Sequence, residues 1–242
     1  MKCLNCNNDV EENFCQICGQ KASTHRFSLK YLFDKGILNG VFMINKGLFY
    51  TLKELLTRPG HSIREYINGK RVKHLNAFNL LLLLITVAYF LDTYTNLKLA
   101  DVMNESSKEF ATSFEKFMKE YPRLIYIMNV PLMAISSFLI FRKSKLNLAE
   151  NIILSTYKSS AEILLTIPLI LLAIFYKDLS VLKIAYQLSP LLAFGYSFWF
   201  YYQFFSTYGY KKRSLIFRSF FSILMFVLIQ GTLIAAIVAL RS

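Results

Sequence analysis

The sequence predicts an all-α integral membrane protein of about five transmembrane helices, preceded by a small cysteine ribbon and by helices lying in the membrane interface. Three observations carry that prediction. The 242 residues are 55% hydrophobic and only 18% charged, where soluble domains run near a quarter charged, and the mean hydropathy is +0.38. Uncharged apolar runs approach the ~20 helical residues needed to cross the hydrocarbon of a bilayer, and they recur along the chain beyond Leu75. Basic residues collect in alternate connecting segments, the pattern left by retention of Lys and Arg in the cytoplasm. With 9 Gly, 5 Pro and 4 Cys, the composition also excludes a disordered, collagenous or disulfide-scaffold chain.

The first unit is 1–21. All four cysteines fall here as Cys3-Leu4-Asn5-Cys6 and Cys15-Gln16-Ile17-Cys18, a C-x2-C-x8-C-x2-C spacing. Two residues between thiolates let each pair wrap as a knuckle around one tetrahedral Zn²⁺. Gly19 after the second pair permits the left-handed turn that aims backbone N–H groups at sulfur, and Asn7 adopts the same conformation at some cost. Zinc is preferred over a redox dithiol pair or unmetallated thiols, and a cytoplasmic location argues against two disulfides. Four protein thiolates close the coordination sphere, so the metal is expected to be structural. So small a ribbon folds on its metal, and packs on the membrane domain or offers a surface to a partner.

Residues 22–74 form a basic, aromatic juxtamembrane segment. Phe27, Tyr31 and Leu32, and then Leu48, Phe49, Leu52, Leu55 and Leu56, stand at helical spacing and read as amphipathic helices in the headgroup plane. Asp34 to Phe42 is too mixed to span. Arg58-Pro59-Gly60 stops the second helix, because proline disfavours a helical Arg58 and Gly60 permits a turn. Ser62 reads as the next N-cap with Glu65 as its capping-box partner. Asn68-Gly69 is a C-terminal stop.

The membrane domain covers 75–242, with spans near 75–94, 123–141, 155–176, 183–205 and 219–240. The third is the least regular: Ile163 to Tyr176 is uncharged but short, and a helix starting near Ser155 crosses only by carrying Lys158 and Glu162. Between Lys21 and Leu75 there are 11 basic and 3 acidic residues, whereas Asp92 to Arg123 holds 5 basic and 6 acidic. Arg142, Lys143 and Lys145 then oppose Glu150; Lys177 and Lys183 flank Asp178; and Lys211, Lys212, Arg213 and Arg218 have no acid among them. The alternation supports five spans over four, with the N-terminus cytoplasmic and Ser242 outside. Met1-Lys2-Cys3 leads into a polar stretch without a signal-peptide core, so the first span is expected to act as the insertion signal. The net charge of +13 reads as basic loops facing the anionic headgroups of the bilayer, and no nucleic-acid partner is expected.

Phe14-Cys15-Gln16-Ile17-Cys18-Gly19-Gln20, Thr51 to Leu56, Arg58-Pro59-Gly60 and Ile63-Arg64-Glu65-Tyr66-Ile67-Asn68-Gly69-Lys70-Arg71 together resemble a bacterial membrane family carried as a domain of unknown function, number 3667. The resemblance covers about the first ninety residues by motif and the later spans only by hydropathy. It departs at Ala77-Phe78, where a proline is expected before the aromatic residue. The family implies architecture and a bacterial cytoplasmic membrane, and no activity.

Charged side chains at membrane depth cost a few kcal/mol each and are functional suspects. Lys158 and Glu162 stand four apart on one helical face, within a polar stripe of Ser155, Ser159, Glu162 and Thr166. That stripe reads either as a hydrated, ion- or proton-coupled path or as the cytoplasmic end of the span, where Lys158 snorkels. Arg58, Arg64, Lys70 and Arg71 are candidates to grip a lipid headgroup or another anion. His25, His61 and His74 read as solvated or headgroup-facing imidazoles, with a metal or general-base role conceivable for His61. Tyr196, Trp199, Tyr201, Tyr202, Tyr208 and Tyr210 read as an interfacial belt, and Pro131, Pro168 and Pro190 as kinks. There is no Walker A or Rossmann glycine pattern, H-E-x-x-H or G-x-S-x-G, and no inverted repeat. The preferred reading is a non-enzymatic regulatory, scaffolding or assembly factor with a protein partner at the ribbon. The alternatives are a small transporter or channel using Lys158 and Glu162, and a lipid-headgroup-modifying enzyme using Arg58, His61 and Glu65.

Overall fold

The computed structural model describes residues 1–32, 47–95, 112, 116, 122–176 and 178–239. The Asp34–Phe42 stretch, most of the acidic Asp92–Arg123 loop, Lys177 and Ser242 lie outside them. The described chain is helical: α1 (Leu29–Tyr31), α2 (Gly47–Thr57), α3 (Pro59–Ile67), α4 (Ala77–Asp92), α5 (Pro122–Ile140), a 3-10 turn (Arg142–Ser144), α6 (Leu148–Phe175), α7 (Leu179–Phe205) and α8 (Lys212–Ala239). Among the described residues there is no strand, only isolated bridges pairing Lys2 with Asp9 and Phe14 with Lys21.

Helix α6 is the central pole. It packs on α4, α5 and α7 and also meets α2 and α3. From Ala149 to Ala161 it is buried on nearly every side, whereas its second half is partly exposed. It begins at Leu148, seven residues before the expected start, because Asn147 and Glu150 form a reciprocal capping box: the Asn147 side chain accepts from the Glu150 N–H and the Glu150 carboxylate accepts from the Asn147 N–H, both at 2.9 Å. Hydroxyl residues line the seams: Ser136 and Ser137 on α5, Ser155, Thr156 and Ser160 on α6, Ser197 on α7, and Ser219 and Ser222 on α8 are all buried. Small side chains let helix backbones approach closely where water offers no alternative partner. Two helices, Leu148–Phe175 and Lys212–Ala236, are long and apolar enough to cross a membrane, and Ala77–Asp92 and Met128–Ile140 are apolar but shorter. Pro131, Pro168 and Pro190 sit inside continuous helices.

The juxtamembrane segment departs from the sequence expectation in three ways. Phe27 and Leu32 are buried in the main core, so this stretch turns these apolar side chains into the body, where an amphipathic surface helix would leave them to the bilayer. Helix α3 starts at Pro59, with a non-helical Arg58 before it (φ −149°, ψ 56°); a proline at N1 is pre-set for the helix, so the start falls three residues ahead of Ser62. Ser62 is therefore no N-cap. It is fully buried and hydrogen-bonds the His74 Nε2 at 2.8 Å. Gly60 likewise makes no turn: it lies within α3, where a Cβ would stand 2.3 Å from the Phe204 nitrogen and 2.5 Å from the Phe200 carbonyl of α7. The expected stop at Asn68-Gly69 is observed, with Gly69 at φ +113°.

Candidate metal centre and its seat on the helical body

The ribbon is built from two equivalent knuckles. The Asn7 N–H donates to the Cys3 carbonyl and the Gly19 N–H to the Cys15 carbonyl, while Cys3 and Cys15 donate to the carbonyls of Asn8 and Gln20. Each turn closes through a left-handed residue, Asn7 at φ +60° and Gly19 at φ +73°, as the spacing predicts. The four cysteines are free, and their sulfurs lie within 4.8 Å of one another, with Cys3–Cys18 and Cys6–Cys15 at 3.5 Å. These separations exceed the ~2 Å of a disulfide and bracket the ~3.8 Å between sulfurs around a tetrahedral ion with ~2.3 Å bonds. The Asn5 N–H reaches the Cys3 sulfur at 3.4 Å and the Asn8 side-chain amide reaches Cys6 at 3.3 Å. The backbone and side-chain N–H groups of Asn8 hold the Cys6 thiol down at about 6, while burial pushes Cys18 up to about 12. The donor set fits a metal ion, and four sulfurs leave no open position.

The ribbon sits on the motif that follows it. Leu4 covers Gly69, where a Cβ would stand 2.8 Å from the leucine Cδ1, and the Gln20 side chain accepts from the Arg71 N–H at 3.2 Å. The Arg71 guanidinium lies 3.6 Å over the Phe27 ring and donates to the His25 carbonyl. Phe27 stacks on Tyr66, which meets Tyr157 of α6 edge-on. Arg26 grips Glu150 through two donors at 2.6 and 2.7 Å, and Asn147 donates to the Phe27 carbonyl.

The basic residues of the motif occupy four separate positions. Arg64 donates to the carbonyls of Gln203 and Phe204 at 2.8 and 3.0 Å, placing a cation at the negative C-terminal end of α7. Arg58 pairs with Glu54 at 2.6 Å and Glu65 at 3.4 Å. Arg71 faces the ribbon, and Lys70 is exposed. His61 contacts Arg64 at 2.7 Å and is held below the usual imidazole range, first by burial and then by the charge of Arg64. His74 is not solvated. It is buried between Tyr50 and Tyr66, and burial holds it down at about 4. No periodicity flags it, because it lies in the link between two helices.

Lys158 does not snorkel. It is 1% exposed and turns inward to Glu162 at 2.5 Å, beneath the rings of Tyr201 and Phe226 at 5.5 and 5.7 Å. The Ser197 hydroxyl of α7 donates to the same Glu162 oxygen at 2.7 Å. Ser155 and Ser159 of the stripe are buried, whereas Thr166 is exposed. The aromatic belt is in part a core: Tyr201 is buried, and Phe141 stacks on Phe205 at 3.6 Å between centroids. Tyr202, Tyr208 and Tyr210 remain at its partly exposed edge.

No curated protein and no solved structure matches the chain. Residues 45–89 match a family model described as a protein of unknown function (DUF3667), a stretch that takes in α2, α3 and most of α4. Over that stretch, which seats the ribbon on the helices, the chain is similar to the DUF3667 family.

Proposed function

We propose that this chain is a non-enzymatic assembly or regulatory factor of a bacterial cytoplasmic membrane, whose zinc-loaded ribbon is a docking surface for a protein partner. In this reading α4 to α8 are five spans, with the ribbon and the α2–α3 layer in the cytoplasm and the C-terminus outside; the alternation of basic and acidic segments supports it. Zinc is the metal that a cytoplasmic set of four thiolates selects, and it serves there as a structural ion. The observation that carries the docking reading is the way the ribbon is held. One part is anchored through Leu4, Gln20 and the Arg26 tail, while Phe14 and Ile17 remain 52% and 73% exposed. Apolar side chains held out on a rigid, metal-closed frame suit a protein contact. Helix α2 supports the interfacial placement: Phe49 and Leu56 point outward, while Thr51 and Glu54 are turned in. The test is native mass spectrometry after gentle extraction from the source membrane. A zinc-bound species carrying a second protein is expected, and Phe14→Ser with Ile17→Ser should keep the zinc and lose the partner. Equal capture by that double variant, or by a zinc-free Cys15→Ser/Cys18→Ser protein, would overturn the reading.

One observation favours a second reading, a small transporter or channel. The Lys158–Glu162 pair is enclosed by α5, α7 and α8, and a third polar group, Ser197, reaches it from another helix. Buried ion pairs at this depth mark ion and proton paths. Lys158→Met with Glu162→Gln, which leaves no unpaired buried charge, should then abolish flux in proteoliposomes without unfolding the bundle, and absence of flux in the unmodified protein would end this reading.

A further inference from the structure

Between the ribbon and the bundle lies a cavity of about 420 Å³, lined among others by Leu4, Arg26, Arg71, Lys145, Glu150 and Tyr208. Its charges do not balance. Arg26, Arg71 and Lys145 face a single carboxylate, and Glu150 is already consumed by Arg26 and by the Asn147 N–H. Arg71 is the telling member. Its contacts are neutral: the Phe27 ring and the carbonyls of His25 and Tyr66. Among the described residues no carboxylate pairs with it. A half-buried guanidinium without a counter-charge is costly, yet the surrounding aromatic stack holds this one in place. Lys145, exposed at the end of the 3-10 turn in a left-handed conformation (φ +55°), lines the same cavity, and its ammonium has no partner among the described residues. Two cations without a counter-charge in one cavity lining, one of them a planar fork, match an oxyanion with several acceptor oxygens better than a lone carboxylate. The volume falls within the range of small-molecule sites and leaves room beside a phosphoryl group for a substituent.

We propose that this seam binds a phosphate-class anion, the phosphate of a lipid headgroup or of a soluble phosphomonoester, held between Arg71 and Lys145 with the ribbon as one wall. The site needs no protein partner and stands or falls apart from the docking reading. The test uses the full zinc-loaded chain with two probes: inorganic phosphate titrated into protein in uncharged detergent, and phosphatidic acid in phosphatidylcholine nanodiscs. One anion per chain is expected, bound about tenfold more weakly by Arg71→Gln and by Lys145→Glu, the change expected for loss of a charge-assisted contact. Lys145→Glu is decisive should Arg71→Gln disturb the aromatic stack, since Lys145 holds its neighbours through its backbone, which the substitution keeps, and not through its side chain. Lys53→Gln, exposed on α2 and outside the cavity lining, should bind normally. Saturable binding of inorganic phosphate assigns the site to a soluble ligand; retention of phosphatidic acid alone assigns it to a headgroup. Binding of neither, or undiminished binding by Lys145→Glu, would overturn the proposal.

Discussion

At Gly60 two helices meet with no room for a methyl group. A Cβ there would collide with the α7 backbone, and the Gly60 N–H is itself used, donating to the Gln203 side chain at 3.2 Å. Gly60→Ala must therefore push α3 off α7 at a cost of about 1–3 kcal/mol, the usual range for overpacking. Thermal unfolding in detergent should report it as a lower midpoint. Gly195→Ala, at a helical position with open space around it, should be neutral or slightly stabilising, and an equal loss in both variants would refute the close-approach argument. His74 makes a prediction in pH. Burial is the main cause of its depressed value, with Glu54 and Glu65 pulling the other way. The folded state thus prefers the neutral ring, so this contribution is complete above the ordinary imidazole value of about 6.5 and is lost as pH falls from there toward 4. The loss amounts to about 2 kcal/mol by pH 5. His74→Gln, which keeps a partner for Ser62, should flatten the stability profile between pH 6.5 and 5; an unchanged slope would assign it to other groups.

Among elements, the ribbon depends most on something outside the chain. Its buried cluster consists of Cys3, Val10 and Cys15, far too little apolar surface to offset the ordering of some twenty residues. Removing the metal with a chelator should leave the helices of the bundle intact by far-ultraviolet circular dichroism while the amides of 1–21 exchange at unfolded rates. Protection of those amides in the metal-free protein would show that the seat on Gly69 and Arg71 suffices alone. Helix α6 carries its own start signal, Asn-x-x-Glu before an apolar run. Asn147→Ala removes one half of that box and should cost about 1 kcal/mol. The signal was readable in the sequence at 147–150, and it places the helix start well ahead of Ser155.

For the whole molecule, the Lys158–Glu162 pair couples helices that are distant in sequence. Removing the Glu162 carboxylate strands Lys158 as a buried charge, a loss of about 3–5 kcal/mol, while replacing both with neutral groups restores much of it. Glu162→Gln alone should therefore be more destabilising than Glu162→Gln with Lys158→Met. If the pair only organises packing, the double variant behaves as the native protein in every assay; if it serves transport, the double variant folds and is silent. Either way the order of stabilities tests whether the inward turn of Lys158 is right.

The features legible along the chain are those that near neighbours control. The paired knuckles with left-handed Asn7 and Gly19, the breaks at Arg58-Pro59 and Asn68-Gly69, and the apolar runs of the later helices all follow from interactions within a few residues. Only the tertiary structure decided the long-range partners: Gly60 against Phe204, Arg64 on the last carbonyls of α7, Arg71 on Phe27, the burial of His74, the inward course of Lys158, and the cavity at the seam. The physical reason is the same for each. Periodicity and composition say that a side chain is to be covered or a charge neutralised, but what covers or neutralises it is set by which surfaces pack together.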